Sequence, residues 1–140
     1  MDILPATQLI VDSALLVLIW LVQLIIYPSL GYTEKQTFIF WHDRYSRIIA
    51  LIVIPLVLIQ AGVEVIHFMQ QDVRTLRILL LSLIWLFTFF VATPVHYQLH
   101  CRGKNKSTIK WLDRSNWLRT ISWTIIFMNT TAGFLTDSFG

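Results

Sequence analysis

The sequence predicts an all-α integral membrane protein, an antiparallel four-helix bundle, on three observations. Of its 140 residues, 56% are hydrophobic and 14% charged, with a mean hydropathy of +0.65, whereas a water-soluble domain carries roughly a quarter charged residues. The apolar excess is gathered into long runs, and about 20 mostly apolar residues cross a hydrocarbon core of roughly 30 Å. Lysine and arginine, finally, fall almost entirely in two of the connections between those runs.

Four runs meet the length requirement, at about residues 9–27, 48–66, 78–95 and 117–135. They use most of the chain, so residues 1–140 read as one domain. The first run has no basic residue before it, only "MDILPATQ", and no small-residue cleavage pattern after it. It therefore reads as a permanent helix rather than a signal peptide.

Orientation follows from the loops. The N-terminus, the 67–77 connection and the C-terminus hold two basic residues, Arg74 and Arg77; the 28–47 and 96–119 connections hold the other nine. Both termini are thus expected outside and both basic connections in the cytoplasm. This distribution accounts for the net charge of +3 without a nucleic-acid partner. The single cysteine, Cys101, falls on the reducing side, where no disulfide is expected.

Along the chain, span one is expected to stop at Pro28, with a turn near Gly31. Thr33 and Gln36 have capping-box spacing and open a second helix over about 34–70. Its first three turns extend along the cytoplasmic surface, and Pro55 is expected to kink it. Gly103 ends the third helix, and Ser107 or Thr108 is placed to cap the fourth. Trp41, Trp111 and Trp117, with Tyr27, Tyr32 and Tyr45, form an aromatic belt at the cytoplasmic interface.

Projected at 100° per residue, each helix shows one polar or aromatic stripe. Asp12, Gln23 and Tyr27 share a face on helix one. On helix two, His42, Gln60, Glu64 and His67 fall within roughly 40° of one another. Trp85, Phe89, His96 and His100 share a face on helix three, and Asn116, Arg119, Thr120 and Trp123 share one on helix four. Charged groups cost several kcal/mol in lipid, so the stripes are expected to turn inward and pair.

Depth divides these residues into two clusters. The outer one, Asp12, Gln60, Glu64 and His67, reads as a polar latch. Its Glu-x-x-His step has di-iron spacing, but di-iron bundles need two such steps. The cytoplasmic one holds His42, Asp43, Arg44, Tyr45, His96, His100, Asn116 and Arg119, with Tyr27 and Trp123 available to line a ligand. His96 and His100 lie four residues apart and, with His42, are a possible transition-metal ligand set. Alternatively, His42 and His96 are placed as axial ligands of haem b. A third reading is structural, with the imidazoles partnering Asp43, Asn116 and backbone carbonyls. No nucleophile triad, phosphate loop or nucleotide fingerprint is present.

The segments "WHDRYSRIIALIVIPLVLIQ", "TFFVATPVHYQLH" and "NWLRTISW" resemble a group of small four-span bacterial membrane proteins of uncharacterised function, over about residues 20–127. More distantly, the layout resembles the anthrone-oxygenase-like membrane proteins, linked to oxidation of aromatic polyketides without an evident cofactor. The resemblance implies a bacterial inner-membrane location and a functional set of His42, His96, Asn116 and Arg119. It does not extend to His100, Glu64 or His67.

Three functions follow as expectations. The first is binding of an apolar or quinone-like small molecule, with redox or oxygenase chemistry in which His42 or His96 is the base and Arg119 stabilises negative charge. The second is a non-enzymatic role as a homo-oligomer or an accessory subunit of a larger membrane complex. The third is haem or metal binding.

Overall fold

The computed structural model describes residues 3–72 and 74–139, and the described residues form four helices and no strand. Helix α1 runs over Ile3–Tyr32, α2 over Phe38–Met69, α3 over Thr75–Arg102 and α4 over Lys106–Phe139. The first three are long and apolar enough to cross a membrane. The fourth is not among them, because Thr, Ser, Asn and Arg interrupt its apolar residues. Several of those polar residues face the other helices: Asn116, Thr120, Ser122 and Thr130 are buried beside Leu112, Trp123 and Ile126.

Two prolines are absorbed rather than ending helices. In α1 the residues Val22–Ile26 form a π turn, closed by the Tyr27 amide on the Val22 carbonyl, immediately before Pro28. In α3 the residues Thr88–Ala92 do the same, with the Thr93 amide on the Thr88 carbonyl just before Pro94. Proline lacks an N–H, and its ring crowds the carbonyl four residues back. A widened turn relieves that contact while keeping the neighbouring backbone groups bonded. Helix α1 therefore continues four residues past the proline where its end was expected. Pro55 also lies within α2 without interrupting it.

The ends of the helices differ in detail from expectation. Thr33 does not open α2: its amide and hydroxyl both bond the Ser29 carbonyl, so it closes α1. The capping box with Gln36 is lost for that reason, and α2 begins at Phe38. The cap of α4 is Asn105, whose Oδ1 accepts from the Ser107 and Thr108 amides at 3.0 and 3.1 Å. Asn ranks above Thr at that position. Gly103 adopts φ 74°, ψ −162°, a region open essentially to glycine alone, and turns the chain between α3 and α4. Lys104 Nζ then donates to the Gly31 and Thr33 carbonyls, tying this turn to the end of α1.

Buried side chains make two apolar clusters. Val11, Leu15, Ile19, Leu81, Ile84, Trp123 and Ile126 form a layer across α1, α3 and α4. Tyr27, Leu30, Phe38, Leu99, Ile109 and Leu112, with Val22, form a second around the α1–α2 and α3–α4 connections. Many outward residues are also large and apolar, among them Val17, Leu24, Leu51, Leu58, Leu79, Leu86 and Phe90. A water-exposed monomer does not expose apolar surface on that scale.

Candidate functional site

The two polar stripes that sequence spacing separates by depth do come together as two buried clusters. The first sits where the π-turn ends of α1 and α3 meet the start of α2 and the first turns of α4. At its centre is His96 on α3. The Tyr27 hydroxyl lies 3.2 Å from His96 Nε2, and His42 Nε2 lies 3.0 Å from His96 Nδ1. The Tyr45 hydroxyl is 3.4 Å from the same Nδ1. Phe38, one turn before His42, stacks on its ring at a centroid distance of 5.6 Å.

Arg119 on α4 donates from Nη2 to the Tyr27 hydroxyl at 3.0 Å and from Nε to Asn116 Oδ1 at 2.8 Å. Phe87 covers its guanidinium at 5.7 Å. Asn116 is fully buried and donates to Gln23 Oε1 at 2.9 Å, while Gln23 Nε2 donates to Asp113 Oδ1, also at 2.9 Å. One polar line thus runs from His42 through His96, Tyr27, Arg119, Asn116 and Gln23 to Asp113.

Two tautomer patterns fit the distances along this line, and only the one in which Tyr27 donates gives the Tyr27 hydroxyl proton an acceptor. Arginine only donates, so the Tyr27 oxygen accepts from Arg119, and in the Tyr27-donating pattern its proton points to His96 Nε2. His96 then carries its own proton on Nδ1 and donates it to His42 Nε2. This leaves the His42 proton on Nδ1, a buried atom without a hydrogen-bond partner, whose nearest carboxylate oxygen is Asp43 Oδ1 at 3.6 Å.

Six of the expected site residues converge here: Tyr27, His42, Tyr45, His96, Asn116 and Arg119. Trp123 does not. It packs in the apolar layer with Leu15 and Ile84, because a shared helix face fixes direction but not depth. His100 also diverges from His96. It is exposed and bonds Asp43 Oδ1 at 2.7 Å.

The proposed metal set of His42, His96 and His100 does not assemble, and among the described residues no group of three or more His, Cys, Asp or Glu side chains is placed to hold a metal ion. The facing nitrogens of His42 and His96 are bonded to each other rather than held apart around an ion or a macrocycle. Gln23, Asp113 and Phe87 complete the cluster. Gln23 shares the Tyr27 stripe, whereas Asp113 lies outside the α4 stripe and carries no such signal.

The outer cluster has a centre that loop counting hides. Arg77 is 4% exposed and grips Asp12 with two nitrogens, Nη1 to Oδ2 at 2.7 Å and Nη2 to Oδ1 at 3.1 Å. Its Nε bonds Glu64, and its Nη1 also reaches Thr130 Oγ1 at 2.8 Å. Gln60 donates to Asp12 Oδ1 at 2.7 Å. His67 stands apart from this knot, bonding Gln8 at 3.1 Å and Asp72 at 3.1 Å. Asp12, Gln60 and Glu64 are thus brought together around Arg77, and His67 lies outside this knot.

The two cations differ in their counter-ions. Arg77 is neutralised by two carboxylates in contact. Arg119 has no carboxylate within 4.0 Å among the described residues, and Asp113 is linked to it only through two amides. Two recesses lie on the molecule; neither is lined by residues of the His96 cluster, and Thr130 of the outer cluster lines the second. One of about 560 Å³ lies beside Tyr32, Thr37 and Trp41, and one of about 460 Å³ lies at the opposite end beside His67, Arg74 and Thr136.

No family model matches this sequence, and no curated protein or solved structure matches it either.

Proposed function

We propose that this chain is a small integral membrane protein that holds the polar head of an apolar, phenol- or quinone-like molecule against Arg119, Tyr27 and His96. In this reading its four helices run antiparallel through a bacterial inner membrane. Both termini face outward, and the His96 cluster lies near the cytoplasmic face. Support for the arrangement comes from the apolar outer faces of α1–α3 and from the contacts at each end. Gln8 meets Thr130 at one end of α1, and Gln23 meets Asp113 at the other. Counting Arg77 as an interior group leaves Arg74 as the single basic loop residue on the outer side, which sharpens the charge asymmetry.

The observation that carries the ligand reading is the guanidinium of Arg119, inside an apolar bundle with no carboxylate in contact. An interior cation without a counter-ion favours negative charge beside it. A ring oxygen that gains charge as it loses a proton suits that place. His96 and Tyr27 supply the proton-handling partners, and of these His96, with Arg119, belongs to the site set that the resemblance implies.

Quenching of the chain's tryptophans in nanodiscs by a short-chain quinone, and by a hydroxylated anthracene, tests this. Saturable quenching is expected, weakened roughly ten- to 150-fold by Arg119→Gln, the loss of a hydrogen bond to a charged group. Absence of saturable binding for both probes refutes it.

A second reading has one observation in its favour. The recesses lie away from the cluster, and the cluster's hydrogen bonds are made internally. That suits an accessory subunit whose polar seam only joins its helices. Stoichiometric co-purification with a larger membrane complex, together with no quenching by either probe, decides for it.

A further inference from the structure

We propose that Tyr27, His96, His42 and Asp43 form a one-ended proton path between the oxygen held by Arg119 and water. The proposal deepens the reading above, since it supplies the proton that a ring oxygen at Arg119 exchanges. Its geometry belongs to the chain alone, so the two stand or fall on different measurements.

Tyr27, His96 and His42, from three helices, are joined by two hydrogen bonds, and Asp43 Oδ1 lies 3.6 Å beyond the last imidazole. In the Tyr27-donating pattern the Tyr27 O–H points to His96 Nε2 at 3.2 Å, and His96 Nδ1–H points to His42 Nε2 at 3.0 Å. His42 Nδ1–H then faces Asp43 Oδ1 at 3.6 Å, and Asp43 is at the surface, shared with the exposed His100. His42 is 2% exposed, and its Nδ1 is left without a partner. A buried donor in that state is costly unless it serves something. The same Asp43 oxygen is held by His100 at 2.7 Å, so a turn of the carboxylate away from His100 is what closes the gap.

The charged and titratable groups around His96 and His42 are Tyr27 from α1, Asp43 and Tyr45 from α2, His100 from α3 and Arg119 from α4. Only Asp43 and His100 of these are at the water-exposed end.

The transfer balances without any other reactant. The Tyr27 proton moves to His96 Nε2, the His96 Nδ1 proton moves to His42 Nε2, and the His42 Nδ1 proton moves to Asp43 and on to water. One proton leaves, and the phenolate that remains is held by Arg119. Both imidazoles end neutral with their protons on the opposite nitrogens, and the reverse sequence restores them. At the far end the line passes into the Asn116 and Gln23 amides, which do not titrate, so the path opens to one side only.

The test is ring-¹⁵N NMR of histidine-labelled full-length protein in nanodiscs, with water protons as the probe. His96 is expected to carry its proton on Nδ1, with coupling through the hydrogen bond to His42 Nε2; a proton on Nε2 overturns the proposal. Exchange of the His96 ring proton with water is then compared between the wild type and His42→Phe. A relay predicts exchange slower by about a hundredfold or more, the lower end of what a positioned acid–base partner contributes. A purely structural His42 predicts faster exchange, because its removal loosens the packing. Unchanged or faster exchange overturns the path. Should His42→Phe fail to fold, the surface double variant Asp43→Asn with His100→Gln decides: slower exchange supports the path, and unchanged exchange overturns it.

Discussion

Replacing Arg77 with glutamine removes the cation that holds Asp12 and Glu64 together inside the bundle. Asp12 is 1% exposed, and Arg77 bonds it through both terminal nitrogens while its Nε bonds Glu64. Gln60 and Thr130 still donate to Asp12 in the variant, but the two carboxylates that Arg77 bonds lose that counter-ion. Removing one partner of a buried pair costs about 3–5 kcal/mol, which is roughly two to nearly four decades in the folding equilibrium. Arg77→Lys keeps the charge but not the planar fork and falls between Arg77→Gln and the wild type. Adding Asp12→Asn to Arg77→Gln removes one stranded charge, so the double variant is more stable than Arg77→Gln alone. Reversible unfolding in mixed micelles, followed through the chain's six tryptophans, measures all four proteins. An Arg77→Gln variant within about 0.5 kcal/mol of wild type, the range of an ordinary surface change, refutes the buried-pair account.

Three further outcomes are expected. Gln23→Leu strands the Asn116 amide and removes the Asp113 contact, lowering stability by about 1–3 kcal/mol in the same unfolding measurement. Gly103→Ala costs about 1–3 kcal/mol from backbone strain alone, because the new Cβ meets Ile39 only at an ordinary 3.7 Å. In the proposed topology, a membrane-impermeant maleimide added to intact cells labels Gln70→Cys in a Cys101→Ser background and leaves the native Cys101 unlabelled. The reverse pattern inverts the orientation.

The polar clusters are readable from sequence because polar groups are scarce in this chain and each must find a partner away from lipid. Helical projection therefore groups His42, His96, Tyr27, Asn116 and Arg119 correctly. It fails where direction is not enough. Trp123 shares the Asn116 face, but seven residues put it about 10 Å further along the helix, in the apolar layer. The π turn at Thr88–Ala92 shifts the register of α3, so Phe89 points outward while His96 faces its partners. Arg77 is hidden by its position. An arginine at the edge of an apolar run looks like a loop charge until the first turn of α3 is seen to begin at Thr75. Thr33 misleads in a similar way, since it stands between two helices and closes the first instead of opening the second.

The layer of Val11, Leu15, Ile19, Leu81, Ile84, Trp123 and Ile126 separates the two polar clusters. In a bilayer it is also an electrical insulator. Ionisable groups lie on either side of it, and none of its seven side chains carries a charge. A membrane voltage, worth about 2.3 kcal/mol per elementary charge per 100 mV, then falls mainly across this layer rather than across either cluster. Each cluster stays near the potential and the acidity of its own compartment. In the proposed topology, proton exchange along the proposed path at the His96 end would follow one aqueous phase and leave the gradient across the membrane intact.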